Sequence, residues 1–190
     1  MTNDSGSPRK AVKRGFTLAE VLVTLAIIAV MAAVLLPSLN SQLAKGDAGR
    51  VAQDLTNIQT GAQAYISDVH RYPASMTQLT TVMSGTPTDL LGSTIPSGLI
   101  GKWKGPYVAK DVVSATSVGT ISTAFTKVTN TPGNGVDYLA ISITGISTAD
   151  WIRLEDILDE GYSSSTASTT GLVRYNVPST TVTYFALPIQ

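Results

Sequence analysis

A single acidic side chain, Glu20, interrupts an apolar run of 21 residues at positions 16–36. A charged acid deep in a membrane-spanning helix costs about 2.5–3.5 kcal/mol, and less near an interface, so its position needs a physical reason. One reason is that Glu20 reaches from the helix end into the lipid headgroups. Another is that it pairs with a cation from a neighbouring chain. Cleavage of the peptide bond between Gly15 and Phe16 would create such a cation, the free amine of Phe16.

The apolar run is long enough to cross a bilayer. At about 1.5 Å per residue, 21 helical residues extend roughly 32 Å, against a hydrocarbon core of about 30 Å. Signal-peptide cores are shorter, at roughly 7–15 apolar residues, so release of a soluble product is not favoured. The preceding segment carries four Lys or Arg residues and one acid. By the positive-inside rule it stays in the cytoplasm, and the C-terminal part faces outward.

This N-terminal segment resembles the signature of type IV pilins and type II secretion pseudopilins. The matching features are the sequence RGFTLAE at residues 14–20, the apolar helix that follows, and Pro37. The resemblance implies that a prepilin peptidase cuts after Gly15 and that the new amine of Phe16 is methylated. It also implies that Glu20 serves filament assembly and that the helix kinks or melts near Pro37. A kink at this position is physically reasonable, because proline removes one helical hydrogen bond and clashes with the preceding turn.

The resemblance also implies a fold and a set of partners. The fold is α+β and pilin-like, with a long N-terminal helix packed against a small antiparallel sheet. The implied partners are further copies of the chain in a helical filament, the prepilin peptidase, an inner-membrane assembly platform and inner-membrane lipid. The chain divides into a cleaved leader, a membrane and assembly half of the long helix, an amphipathic half, and an exported β-rich domain; these are residues 1–15, 16–37, 38–70 and 71–190.

The amphipathic half is predicted from its apolar periodicity. Apolar residues recur every three or four positions, which is typical of one buried helical face. The helix is expected to end near Pro73, because a residue before proline is pushed out of the α region. The predicted buried face consists of Val51, Leu55, Ile58, Ala62, Tyr65 and Val69.

The exported domain combines an irregular segment with strands. Residues 74–135 are rich in Ser, Thr, Gly and Pro and are predicted to be irregular, apart from a short helix at 77–83. Trp103 and Tyr107 are interpreted as anchors that hold a loop against the long helix. Alternating apolar residues predict strands, and a capping Ser or Thr predicts one more helix. The strands are 136–144, 172–175 and 181–187, and the helix starts at Ala149, capped by Ser147 or Thr148.

Charge and cysteine content narrow the function further. Without the leader, nine Lys or Arg face twelve Asp or Glu, a net charge of −3, which does not favour nucleic-acid binding. The chain has no cysteine. Many type IV pilins close a C-terminal loop with a disulfide, so this departure favours a pseudopilin or a non-standard pilin.

The sequence does not predict an enzyme. The one histidine, His70, closes the long helix, and neither a nucleophile elbow, a phosphate-binding loop nor a zinc-protease motif is present. No cofactor is expected, although an acidic cluster near residue 155 offers oxygen ligands for calcium. Its spacing is not that of an EF-hand, and most of these acids are expected on the solvated face of a helix. The calcium candidates are Asp156, Asp159 and Glu160.

Two classes of function therefore remain open. The first is a structural subunit of a type IV pilus-like or type II secretion pseudopilus filament. Such a subunit would reside in the bacterial inner membrane with its C-terminal domain in the periplasm, and would then enter a pseudopilus or a cell-surface pilus. The second is a membrane-anchored sensor or binding domain that does not polymerise. The missing disulfide favours the pseudopilus, whereas the long Ser/Thr-rich domain also fits a surface pilus.

Overall fold

The chain forms two compact units, Met1–Gln42 and Leu43–Gln190. A computed structural model describes residues 15–109, 116–131, 133–159, 171–176 and 178–190. Within these ranges, four helices and five strands form an α+β fold with one long N-terminal helix and a small antiparallel sheet. This confirms the predicted fold class.

The long helix, α1, runs Leu18–Val69 and contains Pro37. Its first part belongs to the N-terminal unit, where the residues at positions 15–42 are exposed although most are apolar. Among the described residues, α1 is the helix that is long and apolar enough to cross a membrane.

The second part of α1 supplies one wall of the core of the globular unit. All six residues of the predicted face are buried, which confirms the periodicity argument. The helix ends at Val69, and His70 follows with a φ of 56°. A left-handed residue at this position is a common way to end a helix, and Pro73 lies three residues further on.

The sheet is built around β3 (Asp137–Thr144). One edge of β3 pairs with β5 (Thr181–Pro188), which in turn pairs with β4 (Val173–Asn176). All pairings are antiparallel. The three strands agree with the predicted strands to within one or two residues. Leu139, Ile141 and Ile143 of β3 are fully buried against the α1 side of the core.

Gln59 of α1 forms hydrogen bonds with two residues of β5. The register of β5 shifts by one residue, so that Ala186 has no partner on β3. The side-chain amide of Gln59 donates to the carbonyl oxygen of Ala186 at 2.7 Å, and its Oε1 accepts from the Tyr184 hydroxyl at 2.7 Å. A bulge would otherwise leave a buried backbone group unsatisfied.

The segment predicted to be irregular contains two strands that the sequence analysis missed. β1 (Thr120–Ile121) and β2 (Thr126–Thr129) pair with the second edge of β3. Short strands rich in Thr have little apolar alternation, so their pairing depends on β3 rather than on their own pattern. Two short helices precede them, α2 (Met76–Thr80) and α3 (Ser97–Ile100). Of these, α2 corresponds to the predicted short helix.

The last helix, α4, runs Thr148–Leu158 and begins one residue before the predicted start at Ala149. Ser147 is the N-cap, because its hydroxyl accepts from the Asp150 N–H at 3.1 Å. Trp151 and Leu154 of this helix are buried. Trp151 stacks on Tyr175 of β4 with the ring centroids 4.9 Å apart, which holds α4 against the sheet.

Candidate functional site

Thr17 and Glu20 form a reciprocal capping arrangement at the start of α1. The backbone N–H and the hydroxyl of Thr17 donate to Glu20 Oε2 at 2.8 and 2.9 Å. In return, the Thr17 hydroxyl accepts from the Glu20 N–H at 3.2 Å. This is a capping box, in which two of the helix's unpaired N–H groups are satisfied by side chains.

The sequence analysis assigned Glu20 but missed Thr17. The sequence does contain a signal for Thr17. A Thr followed by an acid three positions later, before an apolar run, is typical of a capping box. The arrangement explains how one carboxylate is tolerated at this end of α1. Because Oε2 of Glu20 already accepts hydrogen bonds within the same chain, the carboxylate needs fewer hydrogen bonds from surrounding groups.

The junction between Gly15 and Phe16 lies directly before this cap. Both residues are exposed, and the Phe16 side chain is 90% accessible. Phe16, Glu20, Val21 and Thr24 line an open depression of about 430 Å³. The junction is thus accessible, and Glu20 lies within one helical turn of the residue that would carry the new amine. The cleavage and methylation at these residues stay predictions.

Pro37 does not end α1 in the single chain, because helical residues continue on both sides of it. The predicted break concerns assembly, which one chain does not test, so it stays a prediction. Gly46 and Gly49 follow in the same helix, and their surroundings leave open space where a Cβ would stand.

The acidic cluster differs from the prediction in one respect. Asp156 is exposed, as expected for a solvated helical face, but Glu155 is only 2% exposed. Glu155 lies four residues after Trp151, which is about one helical turn, so both side chains lie on the same buried face of α4. Burial, followed by the charges of Asp159 and Asp156, raises the pKa of the Glu155 carboxyl.

Of the calcium candidates, Asp159 has a structural contact. Its carboxylate accepts from the backbone N–H groups of Leu172 and Val173 at 2.8 Å each, which fixes the start of β4. Glu160 lies outside the described residues. Within the described part of the chain, no group of three acidic, His or Cys side chains is arranged to hold a metal ion. The calcium hypothesis stays a prediction.

The predicted loop anchor is confirmed. Tyr107 packs edge-to-face against Tyr65 of α1 and against Trp103, with centroid distances of 5.7 and 5.6 Å. Its hydroxyl donates to Asp68 Oδ2 at 2.9 Å, and Lys104 Nζ lies 3.2 Å from Asp68 Oδ1. The hydrogen bond from Tyr107, together with Lys104, lowers the pKa of the Asp68 carboxyl.

Parts of this chain are similar to known proteins. Residues 10–36 match the model of the prokaryotic N-terminal methylation motif. The chain is also similar to type II secretion system core protein G from several bacteria. The identity to the Klebsiella pneumoniae protein is 30% over 86 residues, which is 45% of this chain and 61% of that relative.

Two further relatives match over shorter stretches. Core protein G of Escherichia coli K12 is 33% identical over 63 residues, or 33% of this chain and 43% of the relative. That of Pectobacterium carotovorum is 32% identical over 63 residues, or 33% and 40%. The chain thus spans less than two thirds of the length of these relatives. No solved structure matches it at a significant level.

Proposed function

We propose that this chain is a structural subunit of a type II secretion pseudopilus. Its methylation motif and its similarity to core protein G support membership of the pilin and pseudopilin family. The relatives it resembles are named for that secretion system, which favours a pseudopilus over a surface pilus. Its role is structural rather than enzymatic.

The observation that carries this proposal is the exposure of the apolar half of α1. None of the most apolar window of this helix is buried within the chain. Exposed apolar area costs roughly 25 cal/mol per Å² in water, so such a surface requires lipid or protein around it. Before assembly the inner membrane would cover it. In a filament, the same surfaces of neighbouring copies would cover it.

The N-terminal site would allow the exchange between these two environments. Cleavage after Gly15 frees the amine of Phe16, and methylation keeps that amine cationic. In the membrane, Glu20 is partly satisfied by Thr17. In the filament, a neighbouring copy offset along the axis would bring its Phe16 amine to Glu20, and an ion pair away from water is stronger than one in water.

Two measurements test this function. Mass spectrometry of the mature chain from the membrane is expected to find methylated Phe16 as the first residue; an intact Met1 would refute the processing step. Deletion of the chain is expected to abolish type II secretion, and the strain that expresses the chain is expected to carry no long surface fibres of it. Abundant sheared surface fibres would indicate a pilus instead. A processed chain that forms no filament would favour a membrane-anchored binding domain.

A further inference from the structure

Asn134 is followed directly by Gly135 at the turn that joins β2 to β3, and no other Asn in the chain precedes a Gly. Both residues are exposed to water. Gly135 has a φ of 69°, a left-handed conformation that glycine adopts without a steric penalty. Since glycine has no side chain, the Asn134 side chain has free access to its peptide nitrogen. This pair therefore has the composition that favours spontaneous deamidation.

The reaction joins the Asn134 side chain to the backbone of the next residue. The Gly135 nitrogen gives up its proton and attacks Cγ of Asn134. The new N–Cγ bond closes a five-membered succinimide ring, the Cγ–Nδ2 bond breaks, and ammonia leaves with the proton. Water then opens the ring at either carbonyl carbon. One opening yields aspartate at this position, and the other yields isoaspartate, in which the backbone runs through the former side chain.

The turn holds both reacting groups in hydrogen bonds. The Gly135 N–H donates to the Asn130 carbonyl oxygen at 3.0 Å. Oδ1 of Asn134 accepts from the Val136 N–H at 3.0 Å, and its Nδ2 donates to the Tyr138 hydroxyl at 3.1 Å. Attack needs a deprotonated nitrogen and a side-chain amide that is free to rotate its face toward that nitrogen. The three hydrogen bonds therefore oppose the reaction while the turn is closed.

We infer that the junction of Asn134 and Gly135 is a site of spontaneous deamidation whose rate is controlled by the turn between β2 and β3. Exposed turns open locally without global unfolding, and each opening releases the amide and the nitrogen together. Water is the other reactant, and the exposed turn admits it. The inference goes beyond the proposed filament role and does not depend on it.

The products would weaken the turn in which they form. Isoaspartate adds one methylene to the backbone of a loop that closes through the Asn130 N–H and the Val136 carbonyl oxygen at 2.9 Å. Either product lacks the amide donor to Tyr138. The new carboxylate also lies three residues before Asp137, which already pairs with Lys127 at 2.7 Å. Deamidation is therefore expected to speed amide exchange in β2.

Peptide mapping by mass spectrometry, after incubation of the full chain in detergent micelles or in denaturant, tests the inference. Asn134 is expected to deamidate at least about tenfold more slowly in the folded chain, because the closed turn protects it. Asn130 is the internal control, since Thr131 follows it and a β-branched side chain crowds the attacking nitrogen. An Asn134 that is stable in denaturant, or no more reactive there than Asn130, would overturn the site. Equal rates at Asn134 in micelles and in denaturant would overturn the control by the turn.

A pair of variants isolates one of the three hydrogen bonds. Tyr138→Phe keeps the ring that packs on Phe185 with the centroids 5.5 Å apart, and removes the hydroxyl bonded to Asn134. We expect deamidation in the folded chain to be about fivefold faster, the factor that corresponds to about 1 kcal/mol. Tyr107→Phe removes a hydroxyl bonded to Asp68, outside this turn, and is expected to leave the rate unchanged. Equal rates in the two variants would mean that the turn does not control the reaction.

Discussion

The Glu20 carboxylate is hydrogen-bonded to the residue three positions earlier, through both the backbone N–H and the hydroxyl of Thr17, at 2.8 and 2.9 Å. Glu20 thus has a partner within its own chain before it meets another copy. Its effect on helix capping and its effect on assembly are therefore separable by substitution.

Glu20→Ala removes both the charge and the cap acceptor, whereas Glu20→Gln keeps an acceptor and removes only the charge. If the carboxylate pairs with the Phe16 amine of a neighbour, both variants are expected to be cleaved and inserted normally but to lose filaments. Cross-linking of neighbouring copies in the cell envelope measures assembly, and the ratio of precursor to mature chain measures cleavage. Normal filament yield from Glu20→Gln would show that capping alone is needed.

Thr17→Val tests the capping role directly. The variant keeps the backbone N–H donor but removes the hydroxyl, and loss of an N-cap side chain costs about 1 kcal/mol of helix stability. We expect partial fraying at the first turn of α1, seen as faster amide exchange near residue 20 in detergent micelles. Thr17→Ser retains the hydroxyl and serves as the control. Equal exchange in the Val and Ser variants would argue against the cap.

Gly61 is required where the loop anchor approaches α1. A Cβ added there would lie 2.9 Å from the Tyr107 carbonyl oxygen, closer than such atoms pack. Gly61→Ala is therefore expected to destabilise the chain by about 1–3 kcal/mol, the usual cost of overpacking. Gly49→Ala, in the same helix but with open space around it, is expected to stabilise by up to about 1 kcal/mol. Thermal unfolding of the full chain in detergent compares the two, and equal shifts would refute the close approach.

Glu155 is a buried carboxylate whose raised pKa gives stability a definite pH dependence. Because its pKa in the folded chain lies above the unfolded value of about 4.5, the folded chain binds more protons in that window, and stability falls as the pH rises through it. Its Oε1 has no hydrogen-bond partner within the described structure. Glu155→Gln removes the titrating carboxyl but keeps a polar side chain of the same size, so it is expected to remove this pH dependence of the free energy of unfolding. Denaturant unfolding at pH 4 and pH 7 measures this, and an unchanged difference between the two pH values would refute it.

Asp68 is expected to have the opposite pH dependence. Its pKa is lowered by the Tyr107 hydroxyl and by Lys104, so its contribution is present above the ordinary carboxyl pKa of 3.8 and is lost as the pH falls through the lowered value. Tyr107→Phe keeps the aromatic packing and removes the hydroxyl. It is expected to bring the Asp68 pKa back toward 3.8, as followed by carboxyl NMR titration in micelles. An unmoved titration would show that the hydrogen bond from Tyr107 does not lower the Asp68 pKa.

Some features of this chain were readable from local sequence because their causes are local. The buried face of α1 follows from a periodicity of three and four residues, and a cap at Ser147 or Thr148 follows from a hydroxyl before a helical pattern. The capping box of Thr17 and Glu20 was equally readable from a spacing of three, although only Glu20 was assigned.

Other features were decided by the tertiary structure because they depend on residues far apart in sequence. The strands β1 and β2 lack a pattern of their own and form because β3 offers an edge. The burial of Glu155 depends on how α4 lies against β4, and the role of Asp159 depends on backbone N–H groups thirteen and fourteen residues later. The need for glycine at position 61 likewise depends on the Tyr107 segment, which is far away in sequence and packs against α1. The sequence by itself thus determined the apolar helix with its acid and predicted the processing junction, because these features depend on neighbouring residues. Only the tertiary structure determined which globular surfaces face outward, because burial is a property of contacts between distant segments.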